Sequence, residues 1–309
     1  MTDVLVGAGG WSYFQVPDNN SLRAYAQAFK FVEVNRSYYR LPTQSLLRKW
    51  RQTVPSSFVF SLRYPRQFTD QYALKLEGNA LRLARAVQDA CTCMRAPIVT
   101  ILVSNQCKLT GVELEYRLDQ FLQEFYPDNT RIAIEFRGLK PSSEVLNVIR
   151  DNGAVHSVDI SKEEPEVGSS ILYSRLFGKG EKNIYEFDNA ELKEIAEKAS
   201  RTKFEKSILA FHGVRMYRDA ARMKIYLDKG YFPRITNNTG LEAVEEVLAE
   251  DTHFPISKAE LVRRQGWKLF NQTVSETRRM REILETLPEE QYLSLNEVLV
   301  SLRKTTPIL

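Results

Sequence analysis

The sequence predicts an α/β fold, a TIM-type (β/α)8 barrel with a small, mainly helical C-terminal domain. Three observations predict it. Eight short apolar runs are each four to eight residues long, most are followed by a stretch of helical period, and residues 231–309 are too many to be a closing tail. An open doubly wound sheet is the alternative arrangement of the same units.

The units run in order. "DVLVGAGG" precedes the helical "SLRAYAQAF", and "FVEVN" precedes "TQSLLRKWRQT". "FVFSLR" leads to the long helical region around "ALKLEGNALRLARAVQDA", and "IVTILV" to "GVELEYRLDQFLQEF". "RIAIEF" is followed by "PSSEVLNVIRDNG". "AVHSVDI" passes through a short polar connection to "ILYSRLFG". "NAELKEIAEKAS", "SILAFHG" and "YRDAARMKIYLDKG" complete the barrel near Gly230. Domain boundaries follow at 1–230 and 231–309. In the second segment "FPISKAELVRRQGWKLFNQ" and "VSETRRMREILETL" read as helices around a short strand or turn. Their Lys258, Arg263, Arg264, Lys268, Arg278, Arg279 and Arg281 suggest a basic face.

Composition bounds the rest. The 309 residues are 43% hydrophobic, enough for a sizeable core, and the net charge of +4 is compatible with anionic partners. Cys91, Cys93 and Cys107 are an odd set in a long chain, which argues for reduced thiols and a cytoplasmic setting. With only His156, His212 and His253 besides, a zinc cluster lacks ligands. The start "MTDVLVGAGG" does not read as a signal peptide, and no run reaches the length of a membrane span.

Strand side chains alternate between two faces, so the larger aliphatic set should meet the helices and its neighbours should point into the barrel. Val32 and Val34 then send Glu33 and Asn35 inward. By the same rule Ser61 and Arg63, Glu135 and Arg137, Asp159, Tyr173, Arg175 and Phe177, and His212 point inward. These polar residues stand at or near the C-terminal ends of their strands, where barrels of this type build sites. Buried salt bridges among Glu33, Glu135, Asp159, Arg63, Arg137 and Arg175 would satisfy the same pattern, and the two readings are compatible. The loops beyond carry Arg36, Arg40, Arg66, Lys140, Lys179, Lys182, Arg215 and Arg218, interleaved with Trp11, Tyr13, Phe14, Tyr38, Tyr39 and Tyr64. Basic groups attract phosphate and aromatic faces stack on rings.

"GAGGWSY", "FVEVNRSYYRLPT", a helix bearing Trp50, "FVFSLRYPRQFTD", "AIEFRG", "SVDI" and "YSRLFG" occur in the order found in the YecE-like family, domain of unknown function 72. Over roughly residues 4–225 the chain resembles that family. The resemblance implies a TIM-type barrel with some likeness to the endonuclease IV and xylose isomerase barrels. It departs from the family pattern at Arg63, where lysine is usual, at Asp70 and Phe177, where histidine is usual, and at "FHG", where an asparagine pair is usual. "IVTILVSNQ" also lacks the usual Gln-Leu-Pro. Arginine cannot form a Schiff base, and the missing histidines weaken any metal-rich site. These departures imply a divergent subgroup.

The expected chemistry is cleavage of a phosphodiester or N-glycosidic bond in nucleic acid or a nucleotide, of nuclease or DNA-glycosylase type. Glu33, Glu135, Asp159 and His212 are the candidate catalytic groups. Trp11, Tyr13, Asn35, Tyr39, Arg63, Arg137 and Arg175 are the candidate binding groups. Mg²⁺ or Mn²⁺ on the carboxylates is compatible with the residues, whereas three zinc ions are not expected. A sugar or sugar-phosphate enzyme and a non-catalytic nucleic-acid-binding protein remain alternatives. A phosphorylated small molecule is thus the other partner class, and no membrane partner is expected.

Overall fold

The computed structural model describes residues 2–125 and 129–306. The chain divides into two compact units. One comprises Met1–Leu176, Ile195–His212 and Met216–Ala221; the other comprises Phe177–Glu194, Gly213–Arg215 and Arg222–Leu309.

The first unit contains eight parallel strands: β1 (Asp3–Ala8), β2 (Phe31–Glu33), β3 (Val59–Arg63), β4 (Ile98–Ser104), β5 (Arg131–Arg137), β6 (Val155–Ser157), β7 (Ile171–Leu176) and β8 (Lys206–Phe211). Pairing runs from β6 through β1 to β8 and β7. A single parallel bridge, Val158 to Ser174, joins the remaining edges, so the sheet forms a barrel with a thin seam. There the Ile160 amide donates to Ser174 Oγ at 3.1 Å, extending the contact past the end of β6. The β1–β2 pairing is also short, with Gly7 opposite Phe31 and Ala8 opposite Val32. The buried Tyr25 hydroxyl reinforces it, accepting from the Ala8 amide at 2.8 Å and donating to the Phe31 carbonyl at 2.9 Å.

Alternation along the strands divides the side chains as the sequence suggests. Phe31, Ile98, Ala133, Val155, Tyr173, Ile208 and Ala210 form one buried cluster, with Leu5, Val59 and Ile171 packed on it. These inward positions fill the N-terminal half of the barrel with apolar groups. Two residues further along the same face stand Glu33, Ser61, Glu135, Ser157 and His212, so polarity begins where that plug ends. On β1 the inward position after Leu5 is Gly7, because a neighbour occupies the space. A Cβ on Gly7 would lie 2.1 Å from the Phe31 carbonyl oxygen.

The second unit has its own apolar core, including Val244, Leu248, Leu261, Phe270, Met280, Ile283, Tyr292 and Leu302. Gly240–Ala249, Lys258–Gln265 and Leu295–Thr305 are helices, and the second of them lies in a stretch read as helical from its sequence. "VSETRR" departs from its helical reading. Thr277–Arg279 is a strand paired antiparallel with Leu269–Asn271, and the helix beginning at Met280 has five residues. Strand pairing overrides a local helical pattern here. The bases of this segment are also paired: Arg263 and Arg264 with Glu260, Arg278 with Glu276, Arg281 with Glu285 and Lys258 with Glu289. Lys268, buried, pairs with Asp251 at 2.7 Å and Glu250 at 3.1 Å. Arg279 meets Glu191 at 3.1 Å and the Tyr185 hydroxyl at 2.8 Å. No helix among the described residues is long and apolar enough to cross a membrane.

Candidate functional site

Glu33 is the centre of the polar cluster at the C-terminal strand ends. It is fully buried, and burial alone would raise its pKa. Arg175, His212 and Arg63 together outweigh that penalty and hold it well below the ordinary carboxylate range. Arg175 Nε lies 3.0 Å from Glu33 Oε2 and 3.2 Å from Oε1. The Tyr173 hydroxyl donates to Oε2 at 2.6 Å and in turn accepts from Ser61 Oγ at 2.7 Å. His212 Nε2 lies 3.2 Å from Glu33 Oε1, and Arg63 Nε 3.8 Å from the same oxygen.

Arg175 also reaches across the barrel to Glu135, whose other oxygen is 2.5 Å from Arg137. Burial would raise Glu135 too, but Arg175 and Arg137 bring it below the usual value. One guanidinium therefore spans both carboxylates, and burial, which would lower its pKa, is overcome by Glu135 and Glu33. Arg63 behaves differently. Burial and the nearby Arg175 push it down to about 10, although Glu33 and Glu135 oppose the shift, and it remains charged at neutral pH. Its guanidinium stacks 3.9 Å over Tyr38 and donates to Asn35 Oδ1. The backbone beneath is fixed by Ser37, which donates to the Val34 carbonyl at 2.8 Å and accepts from the Arg63 amide at 2.9 Å.

His212 has its pKa lowered, first by burial and then by Arg175, with Glu33 opposing. The imidazole is thus neutral at neutral pH. Nε2 faces Glu33, an environment that favours the tautomer with the proton on Nε2, and Nδ1 lies over the α-carbon of Gly9.

The remaining candidates are distributed around this cluster. Asp159 closes its own turn, accepting from Ser161 Oγ at 2.6 Å and lying 3.6 Å from Lys162. Tyr39 is exposed and meets Tyr38 edge-on at 5.3 Å. Tyr13 is 82% exposed. Trp11 belongs to the helix layer: its ring packs at 4.9 Å on Trp50 and at 6.4 Å on Phe60, whose side chain points away from the barrel interior. His156 likewise faces outward, accepting from the Glu166 amide at Nδ1. Of the bases expected at the rim, Lys140 lies 4.0 Å from Glu166, while Lys179 and Arg215 fall in the second unit, where they pair with Glu191 and Glu250. Sequence reasoning did not single out Gly9, Ser37, Ser61 or Tyr173 as site residues. Inward alternation marks Ser61 and Tyr173, while the two others act through contacts invisible in sequence.

Among the described residues no three His, Cys, Asp or Glu side chains stand where they could share a metal ion. The donor chemistry agrees, because Arg175 occupies the position between Glu33 and Glu135 that a bridging cation would need. The pair does not fit Mg²⁺ or Mn²⁺ in this arrangement.

A parallel eight-stranded barrel, apolar at one end and polar at its C-terminal mouth, defines a TIM-barrel protein. The chain belongs to the family described as Protein of unknown function DUF72, whose family model matches residues 5–235. A DUF72 family protein from Enterococcus faecalis V583 has the same fold, with a TM-score of 0.59 at 16% identity over 74% of this chain and 98% of that one. A DUF72 family protein from Thermotoga maritima MSB8 matches with a TM-score of 0.59 at 17% identity, covering 74% of this chain and 100% of that one. No curated protein matches the chain.

Proposed function

We propose that the protein is a hydrolase for a phosphate-bearing ligand of the nucleotide or nucleic-acid class, acting at the C-terminal mouth of the barrel. The guanidinium groups gathered at the mouth carry this reading. Three guanidinium groups, Arg63, Arg137 and Arg175, meet two ionised carboxylates, Glu33 and Glu135, beside a neutral histidine. Arg137, paired with Glu135, is half exposed where a ligand would arrive. A phosphodiester supplies the matching charge.

In this reading His212 takes a proton from water as the water oxygen bonds to phosphorus. The bond to the leaving ester oxygen breaks, and that oxygen takes up a proton from the imidazolium. Glu33 stabilises the imidazolium, and Arg137 and Arg63 hold the charge that develops on the phosphoryl oxygens. Arg175 keeps both carboxylates ionised and in place.

Calorimetric titration with a nucleoside monophosphate and its parent nucleoside, together with hydrolysis of a chromogenic phosphodiester, tests the proposal. The phosphate should be required for binding, Arg137→Ala should weaken binding at least about tenfold, and His212→Ala should lower hydrolysis about 100-fold. Equal binding of nucleoside and nucleotide would overturn it. Binding and turnover confined to a sugar phosphate would replace the nucleotide with that class.

A further inference from the structure

Between Asp18 and Asp70 the chain carries nine lysine and arginine residues and a single acid. That acid is Glu33, buried in the mouth and engaged by Arg175. The stretch therefore holds eight uncompensated positive charges, against +4 for the entire chain. It forms one sector of the barrel unit, spanning the helix Ser21–Ala28, β2, the helix Gln44–Thr53 and β3. Arg23, Arg36, Arg40, Arg48, Lys49 and Arg66 are exposed. None of these six forms an ion pair among the described residues, whereas Lys140 and the bases of the second unit named above do.

Aromatic surface is interleaved with these cations. Tyr39, 67% exposed, lies between Arg36 and Arg40 in sequence. Tyr38 connects Tyr39 to Arg63, and its carbonyl accepts from the Arg66 amide at 2.8 Å, which ties the loops after β2 and β3 together. Trp11 and Trp50 wall a cleft of about 360 Å³ that Lys49 and Asn20 also line. The sector around β6, across the barrel, carries the opposite charge, with Glu163, Glu164 and Glu166 lining a separate cleft.

We propose that the β2–β3 sector is a binding face for single-stranded nucleic acid, leading the strand to the mouth. The inference rests on the mouth being a phosphate site and extends it from a single phosphate to a polymer. One phosphate needs one or two cations. Six unpaired cations distributed over a face match a chain of phosphates. Five of the six are arginines, which pair with phosphate through a fork of donors. The accessible rings offer stacking planes to unpaired bases, which a duplex keeps to itself. A membrane surface would instead call for exposed aliphatic side chains, and between Asp18 and Asp70 the one large apolar residue that is exposed is Tyr39.

Fluorescence anisotropy with a labelled thymidine 20-mer, from about 50 to 300 mM NaCl, tests this. The triple variant Arg36→Glu/Arg40→Glu/Lys49→Glu should lose at least about 30-fold in affinity at the lowest salt, and its salt slope should flatten by about two. The triple Arg150→Glu/Lys193→Glu/Lys203→Glu makes the same change in net charge elsewhere and should lose less than about threefold. Tyr39→Ala should weaken single-strand binding with the slope unchanged. The corresponding alanine triple gives the same reading should charge reversal impair folding. Absence of single-strand binding by the wild type, equal losses in both triples, or equal affinity for duplex would each overturn the proposal. Binding to phosphatidylserine vesicles in place of the oligonucleotide would transfer the face to membranes. Nucleoside monophosphate binding, measured on the same samples, reports on the mouth separately, so a failed face and a failed mouth are distinguishable.

Discussion

The imidazole of His212 occupies the space where a side chain on Gly9 would begin. A Cβ there would fall 2.2 Å from both Nδ1 and Cε1 of the ring. The glycine is thus a condition for the position of His212 over Glu33. Gly9→Ala should destabilise the protein by about 1–3 kcal/mol, the usual cost of overfilling a packed site. Pairing it with His212→Ala should recover much of that loss. Urea denaturation of the two single variants and the double variant measures the coupling, and simple additivity would disprove the dependence.

Glu33→Gln should be severe. It leaves Arg175 and Arg63 buried without their central counter-charge, and breaking a buried pair from one side costs about 3–5 kcal/mol. Tyr173→Phe removes one hydrogen bond to the same carboxylate and should cost about 1 kcal/mol or somewhat more. Comparison of the two variants by chemical denaturation checks the order.

Acid should unfold the protein partly through these carboxylates. Both Glu33 and Glu135 are held below the unfolded value of about 4.3. Their contribution is therefore complete above that pH and disappears as pH falls through the lower folded values. The stability of Glu135→Gln should vary less with pH than that of the wild type between about pH 4.5 and 2.5. Denaturation series at fixed pH provide the comparison.

The histidines add a second acid-sensitive contribution. Burial lowers both His212 and His156, so the unfolded chain takes up protons that the folded chain resists as pH drops below about 6.5. Stability gained above that value is lost below it. Carbon-13 NMR of the imidazoles should show both rings titrating at lower pH than a free histidine, and a His212 that protonates above the ordinary range would contradict the assigned environment.

In the second unit Lys268→Met should cost about 1–2 kcal/mol. The substitution keeps the buried stem but removes the charge that faces Asp251 and Glu250, both of which retain access to water. Thermal denaturation of the full chain should show a lower midpoint.

Much of the barrel was legible because its signals are local. A period of two sorts each strand's side chains into two faces, and strand–helix alternation restricts the sheet to parallel pairing. Glu33, Asn35, Arg63, Glu135, Arg137, Arg175 and His212 were each assigned inward by their immediate neighbours, and the contacts of the cluster agree. The strand Thr277–Arg279 was not legible, since it exists through pairing with Leu269–Asn271 rather than through its own pattern.

The sequence by itself determined the number of barrel strands, their order along the chain and the face on which Glu33, Arg63, Glu135, Arg175 and His212 lie, because covalent geometry and side-chain size act over a few residues. Tertiary structure alone decided the partners. Arg175 joins Glu33, 142 positions away, to Glu135, 40 positions away. Trp11 turned to Trp50 and Phe60, and Lys140, Lys179 and Arg215 were drawn to acids while Arg36, Arg40 and Arg66 were left without them. Electrostatic pairing and ring packing depend on distances that arise only when the chain folds, so spacing along the chain carries no record of them.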